Sequence, residues 1–248
     1  MSETAAIRFV DVSKAFGSLK VLDRVSFEIP RGSAFCILGR SGTGKSVMLR
    51  QLVGLIKPDS GQIFVEDDEI THLSSRELSQ VRKRMGFLFQ YSALFDSISV
   101  GENVAFPLRR HTRLSSAEIR ERATALLDRV GLPGIYDKGP ADISGGMRKR
   151  AGLARALALN PSILLVDEPS SGLDPVTSGE IDELLHDLKV SEGATLVVVT
   201  HNIPSARRIG DTLAVLHEGH ILDSGTAEDL DNSKHQLVQD FMKAEGAN

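Results

Sequence analysis

Eight consecutive residues restrict the fold most: Gly39-Arg40-Ser41-Gly42-Thr43-Gly44-Lys45-Ser46 fits G-x-x-x-x-G-K-[ST]. A short aliphatic run, Ala34-Phe35-Cys36-Ile37-Leu38, precedes it, and a helical pattern over 46–55, stopped by Pro58, follows it. Strand, glycine loop and helix in that order form the context of a phosphate-binding loop. Its glycines let successive backbone N–H groups converge on an anion at the positive end of the helix. In this reading Lys45 reaches the β- and γ-phosphates of a nucleotide, and the Ser46 hydroxyl ligates Mg²⁺. The chain is thereby committed to an α/β fold.

The rest of the pattern agrees. Residues 7–29 read as short strands turning near Phe16-Gly17-Ser18, with alternation at Val25-Ser26-Phe27-Glu28-Ile29. Residues 62–65 read as a strand. Helical signal dominates 74–159, with Ser115-Ser116-Ala117-Glu118 as a capping box. Two aliphatic runs without alternation, 163–166 and 195–199, read as parallel strands covered on both faces, with a helix over 178–189 between them. Cys36, the single cysteine, reads as a small buried residue.

Two further constellations carry chemistry. The strand at 163–166 runs into Asp167-Glu168, where carboxylates point into the ligand crevice of a parallel sheet. Asp167 is then a Mg²⁺ ligand, directly or through water, and Glu168 a candidate general base for an attacking water. Ile143-Ser144-Gly145-Gly146-Met147 opens a basic helical run, Arg148-Lys149-Arg150, and offers a second anion site through backbone N–H groups and a hydroxyl.

Charge and hydropathy narrow the class. Up to Arg155 there are 24 Lys and Arg against 17 Asp and Glu; beyond it there are 5 against 16. The basic part reads as a solvated helical surface, with phosphates or an anionic membrane surface as the alternative partners, and the net charge of −4 gives no basic excess for nucleic acid. The longest stretch free of formal charge, 193–206, falls short of the ~20 apolar residues a membrane span needs. No signal peptide is read at the N-terminus, so a soluble intracellular chain is expected.

The P-loop, Ser144-Gly145-Gly146, Asp167-Glu168, Ser171-Gly172-Leu173-Asp174 and His201 occur in that order. This resembles the nucleotide-binding subunit of an ATP-binding-cassette (ABC) transporter over essentially the whole chain. The resemblance implies an α/β P-loop core of ABC type with an antiparallel β layer and an inserted helical lobe. It implies one domain over 1–248: core and β layer at 1–90 and 160–225, lobe at 91–159, and a C-terminal helical segment at 226–248. It implies that ATP and Mg²⁺ are bound by residues 39–46. Phe16 falls where the family stacks an aromatic on adenine, although a core or turn aromatic fits equally. Gln90 matches the glutamine that senses Mg²⁺ and water, Asp174 the D-loop aspartate, and His201 the switch histidine at the γ-phosphate. Ser144 to Gly146 of one subunit would close over the ATP held by Lys45 of another, implying a homodimer with a separate integral membrane permease.

A narrower likeness rests on 81–90, on Ala93-Leu94-Phe95, on 102–109 and on Met147, which stands where glutamine is commonest in the signature. It is to the ATPases that energise phospholipid trafficking with a permease and a mammalian-cell-entry (MCE) domain protein. That implies a peripheral subunit on the cytoplasmic face of the inner membrane, touching lipid only through its permease. An importer of amino acids or ions is the alternative. A DNA-repair or translation protein of the family would carry a coiled-coil insertion or two fused cassettes, and a subunit without turnover a degraded Lys45, Glu168 or Ser144. Part of the apolar cluster Phe87, Phe89, Leu94 and Phe95 is expected to form a groove for a short permease helix, with simple packing of the lobe as the alternative.

Overall fold

The computed structural model describes residues 5–243. The first four residues of the N-terminal stretch and the last five of the C-terminal segment lie outside them. Two long strands, β1 (Ala5–Phe16) and β2 (Leu19–Pro30), pair antiparallel. With β4 (Ser60–Val65) and β5 (Asp68–Glu69) they make a four-stranded sheet of order β2-β1-β4-β5. The second sheet holds β3 (Ala34–Leu38), β6 (Met85–Leu88), β7 (Ile163–Asp167), β8 (Thr195–Thr200), β9 (Thr212–His217) and β10 (His220–Gly225). Its order is β10-β9-β3-β8-β7-β6, with β10 antiparallel at one edge and every other neighbouring pair parallel.

The aliphatic runs explain the layering. On β3, Ala34, Cys36 and Leu38 face the helices, whereas Phe35 and Ile37 face the four-stranded sheet. Strands β7 and β8 divide their residues the same way, so both faces are covered. Each fully buried aliphatic side chain contributes about 1.5–3 kcal/mol. Between the sheets Phe9, Phe27 and Phe35 stack with centroid spacings of 4.6 and 5.1 Å. Burial pushes the Cys36 thiol up to about 12, the state of an inert core residue.

Helix α1 (Lys45–Leu52) packs between the sheets, and α2 (Ser75–Arg82) packs on the same core. The helix expected over 46–55 ends early. Gly54 takes φ 63°, while the Leu55 and Gly54 amides donate to the carbonyls of Arg50 and Gln51, a Schellman stop placed before Pro58 can act. On the other face lie α3 (Val100–His111), α4 (Ser116–Arg129) and α5 (Gly145–Ala156), capped by Ser99, Ser115 and Ser144. Gly101 admits the Tyr136 ring, which would sit 2.2 Å from any added Cβ.

Helix α6 (Pro175–Glu192) is longer than the expected 178–189 because Asp174 caps it and Pro175 suits its first turn. After α7 (Ile203–Ile209) comes the β9–β10 hairpin, which hydropathy alone did not mark. Helices α8 (Ala227–Asp231) and α9 (Gln236–Lys243) follow. No helix among the described residues is long and apolar enough to cross a membrane.

Candidate functional site

Four segments end at the carboxyl edge of the parallel sheet. The glycine loop follows β3, Gln90 follows β6, Asp167 and Glu168 close β7, and Thr200 and His201 close β8. Ligands bind at this edge in open α/β sheets. Here the edge opens into a cavity of about 540 Å³.

At two glycines of the loop a side chain would be crowded. Gly44 sits at φ 103°, and a Cβ there would meet Val21 Cγ1 at 2.6 Å. Gly39 passes the carbonyl of Leu216, which would lie 2.6 Å from an added Cβ. Arg40, Ser41, Gly42, Gly44, Lys45 and Ser46 line the cavity. Thr43 braces the turn instead, its hydroxyl donating to the Arg40 carbonyl at 2.9 Å.

Lys45 is buried, and its ammonium donates to the carbonyls of Gly39 at 2.6 Å and Arg40 at 3.1 Å. It lies 3.6 Å from Glu168 Oε1. Burial pulls its pKa below the usual lysine value, opposed by the Glu168 and Asp167 carboxylates. Ser46 Oγ donates to Asp167 Oδ1 at 3.0 Å, while burial raises the Asp167 pKa.

Glu168 is nine-tenths buried and adopts φ 47°. A non-glycine residue in that conformation is strained, and such strain gathers at functional sites. Its Oε2 accepts from Thr200 Oγ1 at 3.1 Å and the His201 amide at 3.3 Å, and sits 2.9 Å from His201 Nδ1. The Gln90 amide nitrogen donates to Ser171 Oγ at 3.3 Å.

Phe16, 48% exposed, stands at the cavity mouth with Val21, so it is not a core aromatic. Val47 and Phe241 line the same cavity, and no sequence motif marks either of them for it. Phe241 comes from α9, whose amphipathic pattern marks a helix but not its destination.

The remaining expected residues are elsewhere. Ser144 and Gly145 are exposed at the start of α5, where the Ser144 hydroxyl accepts from the Met147 amide at 3.2 Å. Gly146 is buried against Thr177. Asp174 is exposed and caps α6 through the amides of Val176 and Thr177, both at 3.0 Å. None of these four residues lines the cavity of its own chain.

The oxygen set suits a hard divalent cation. Ser46 Oγ, Asp167 Oδ1 and the Gln90 side chain are hard oxygen donors or carriers of one. Among the described residues no group of three or more His, Cys, Asp or Glu could hold a metal by itself. A cation here would therefore complete its shell with phosphate and water oxygens, the usual habit of Mg²⁺.

A family model described as ABC transporter matches residues 22–171. The chain belongs to the ABC transporter family. Among curated relatives, the "Probable ribonucleotide transport ATP-binding protein mkl" of Mycobacterium leprae is 44% identical over 96% of this chain, which spans 68% of that relative. The "Intermembrane phospholipid transport system ATP-binding protein MlaF" of Escherichia coli K12 is 40% identical over 94% of this chain and 86% of the relative. The "Methionine import ATP-binding protein MetN" of Carboxydothermus hydrogenoformans is 41% identical, but the chain spans 66% of it. Of solved structures, the dimeric post-hydrolysis state of the ATP-binding cassette MJ0796 bound to ADP and Pi aligns with a TM-score of 0.83 and 34% identity. That alignment covers 89% of this chain and 98% of the other. This ABC ATPase accordingly has the P-loop fold of a cassette, in a family whose ATPase subunits dimerise and work with membrane permeases.

Proposed function

We propose that this ABC ATPase hydrolyses Mg²⁺-bound ATP in sites shared between two copies and thereby powers phospholipid movement through a separate permease. The observation that carries the ATPase reading is the meeting of Lys45, Ser46, Gln90, Glu168 and His201 around one cavity, with Asp167 bonded to Ser46 at its base. The exposed Ser144, Gly145 and Asp174 support closure over a second copy's nucleotide.

In that site backbone amides of the glycine loop and Lys45 hold the phosphates. Adenine lies against Phe16. Ser46, Gln90 and Asp167 would hold Mg²⁺, which when bound offsets phosphate charge. Glu168 takes a proton from water as the water oxygen attacks the γ-phosphorus and the bond to the bridging oxygen breaks, releasing ADP and phosphate. His201 contacts the γ-phosphate. The subunit sits on the cytoplasmic face of the inner membrane, peripherally, with an MCE-domain protein as the further partner.

Phospholipid is favoured by the likeness to MlaF, which this chain covers to 86%, together with Met147 in the signature. The likeness to MetN supports amino-acid import as the second reading. Reconstitution with the permease and labelled phospholipid decides between them: ATP-dependent transfer to or from an acceptor is expected. Movement of polar solutes alone would reject the lipid reading and leave the ATPase reading standing.

The permease is proposed to dock in an apolar groove of about 440 Å³ beside Gln90. Phe87 and Phe89 stack there at 4.2 Å, and Phe95 meets Phe106 at 5.3 Å. Asn103, fully buried, holds Phe95 in place by accepting from its amide at 2.8 Å and donating to its carbonyl at 3.1 Å. Leu94 does not line the groove but packs against the main core, so the part of the cluster at the groove is Phe87, Phe89 and Phe95. Phe95→Asp is therefore expected to detach the subunit from its membrane complex and leave nucleotide affinity of the isolated chain within about threefold. A sharply lowered Tm would mark Phe95 as packing instead.

A further inference from the structure

We propose that Lys149 is a positioning residue, its ammonium tying α5 at once to the backbone of Gln90 and the backbone of Glu168. The inference rests on the ATPase reading above. Lys149 is 2% exposed, two residues beyond Met147. Its Nζ donates to the Gln90 carbonyl at 2.5 Å and to the Glu168 carbonyl at 3.1 Å.

A buried cation on neutral carbonyls is costly, and an apolar side chain of similar length would pack without that cost. What the ammonium adds is two directed hydrogen bonds to loops from different strands. The same helix holds this region again farther along. Arg155 donates to the Ser92 carbonyl at 2.5 Å and the Ala93 carbonyl at 2.6 Å. Gly152 between them lets Ser92 approach, since its added Cβ would come within 3.2 Å of Ser92 Cβ. Ser92, Ala93 and Glu168 all have positive φ, at 60°, 48° and 47°. Such conformations persist only where surroundings enforce them. Cations of α5 bind the carbonyls of all three.

Helix α5 is capped by Ser144, the residue proposed to close over the second copy's ATP. Through Lys149 a shift of that helix would carry its own chain's Gln90 and Glu168 with it. Misplacing a catalytic group by about 1 Å can cost 10²-fold in rate.

The test compares wild-type full chain with Lys149→Met. The expected result is a kcat at least tenfold lower, with KM and nucleotide Kd within threefold, because the phosphate loop is untouched. Amide hydrogen exchange should accelerate at 90–93 and 168–171 and stay unchanged in α1. Should Lys149→Met fail to fold, Lys149→Gln, polar but one atom short of both carbonyls, is read in the same way. A kcat within twofold of wild type, a loss shared equally with Kd, or exchange raised throughout the chain would overturn the proposal, as would failure of both variants to fold. A wild type that turns over no ATP would reject the ATPase reading, while the exchange measurement still decides the tie.

Discussion

Glu168→Gln should bind ATP with wild-type affinity and turn it over about 10²–10⁴-fold more slowly, the usual worth of a positioned base. The amide keeps the shape of the carboxylate and can still meet Thr200 Oγ1 and the His201 backbone, which lie 3.1 and 3.3 Å from Oε2. It cannot take a proton from water. It also removes the negative charge 3.6 Å from Lys45 Nζ, which leaves that ammonium freer to face phosphate. Equilibrium nucleotide binding and single-turnover hydrolysis separate the two effects. Hydrolysis within threefold of wild type would remove Glu168 from the role of base.

Much of this site could be read in the residues because its parts are local. A strand, a glycine loop and a helix are contiguous over 34–52, and Asp167-Glu168 directly continue an aliphatic run, so position along the chain stands in for position in space. The layering was equally legible, since unbroken aliphatic runs at β7 and β8 already require cover on both faces. What failed depended on distant partners. The run Arg148-Lys149-Arg150 reads as solvated surface, yet Lys149 is buried, pulled down to about 8 by burial and partly sustained by Asp167 and Glu168. Its partners are carbonyls 59 and 19 residues away, which leave no mark in side-chain chemistry. Phe241 reaches the cavity from the far end of the chain for the same reason. Leu94 and Phe95, neighbours of similar hydrophobicity, part company because Asn103 fixes the backbone of one while the other meets the core.

The shared site is the central claim. This proposal rests on one P-loop and one Ser144-Gly145-Gly146 segment per chain, the latter outside the cavity of its own chain. Lys45→Ala deletes the charge facing the phosphates, and Ser144→Arg places bulk and charge at the surface meant to cover the other copy's nucleotide. Each variant alone should be inactive. In a mixed dimer one composite site combines an intact Lys45 with an intact Ser144, and the other combines both lesions. An equal mixture should therefore recover about a quarter of wild-type turnover if the sites act independently. The decisive measurement is ATP turnover of verified mixed dimers of Lys45→Ala and Ser144→Arg, with the permease present where the subunit alone dimerises weakly. Partial recovery is the predicted result, and turnover no higher than that of either variant alone would contradict the account.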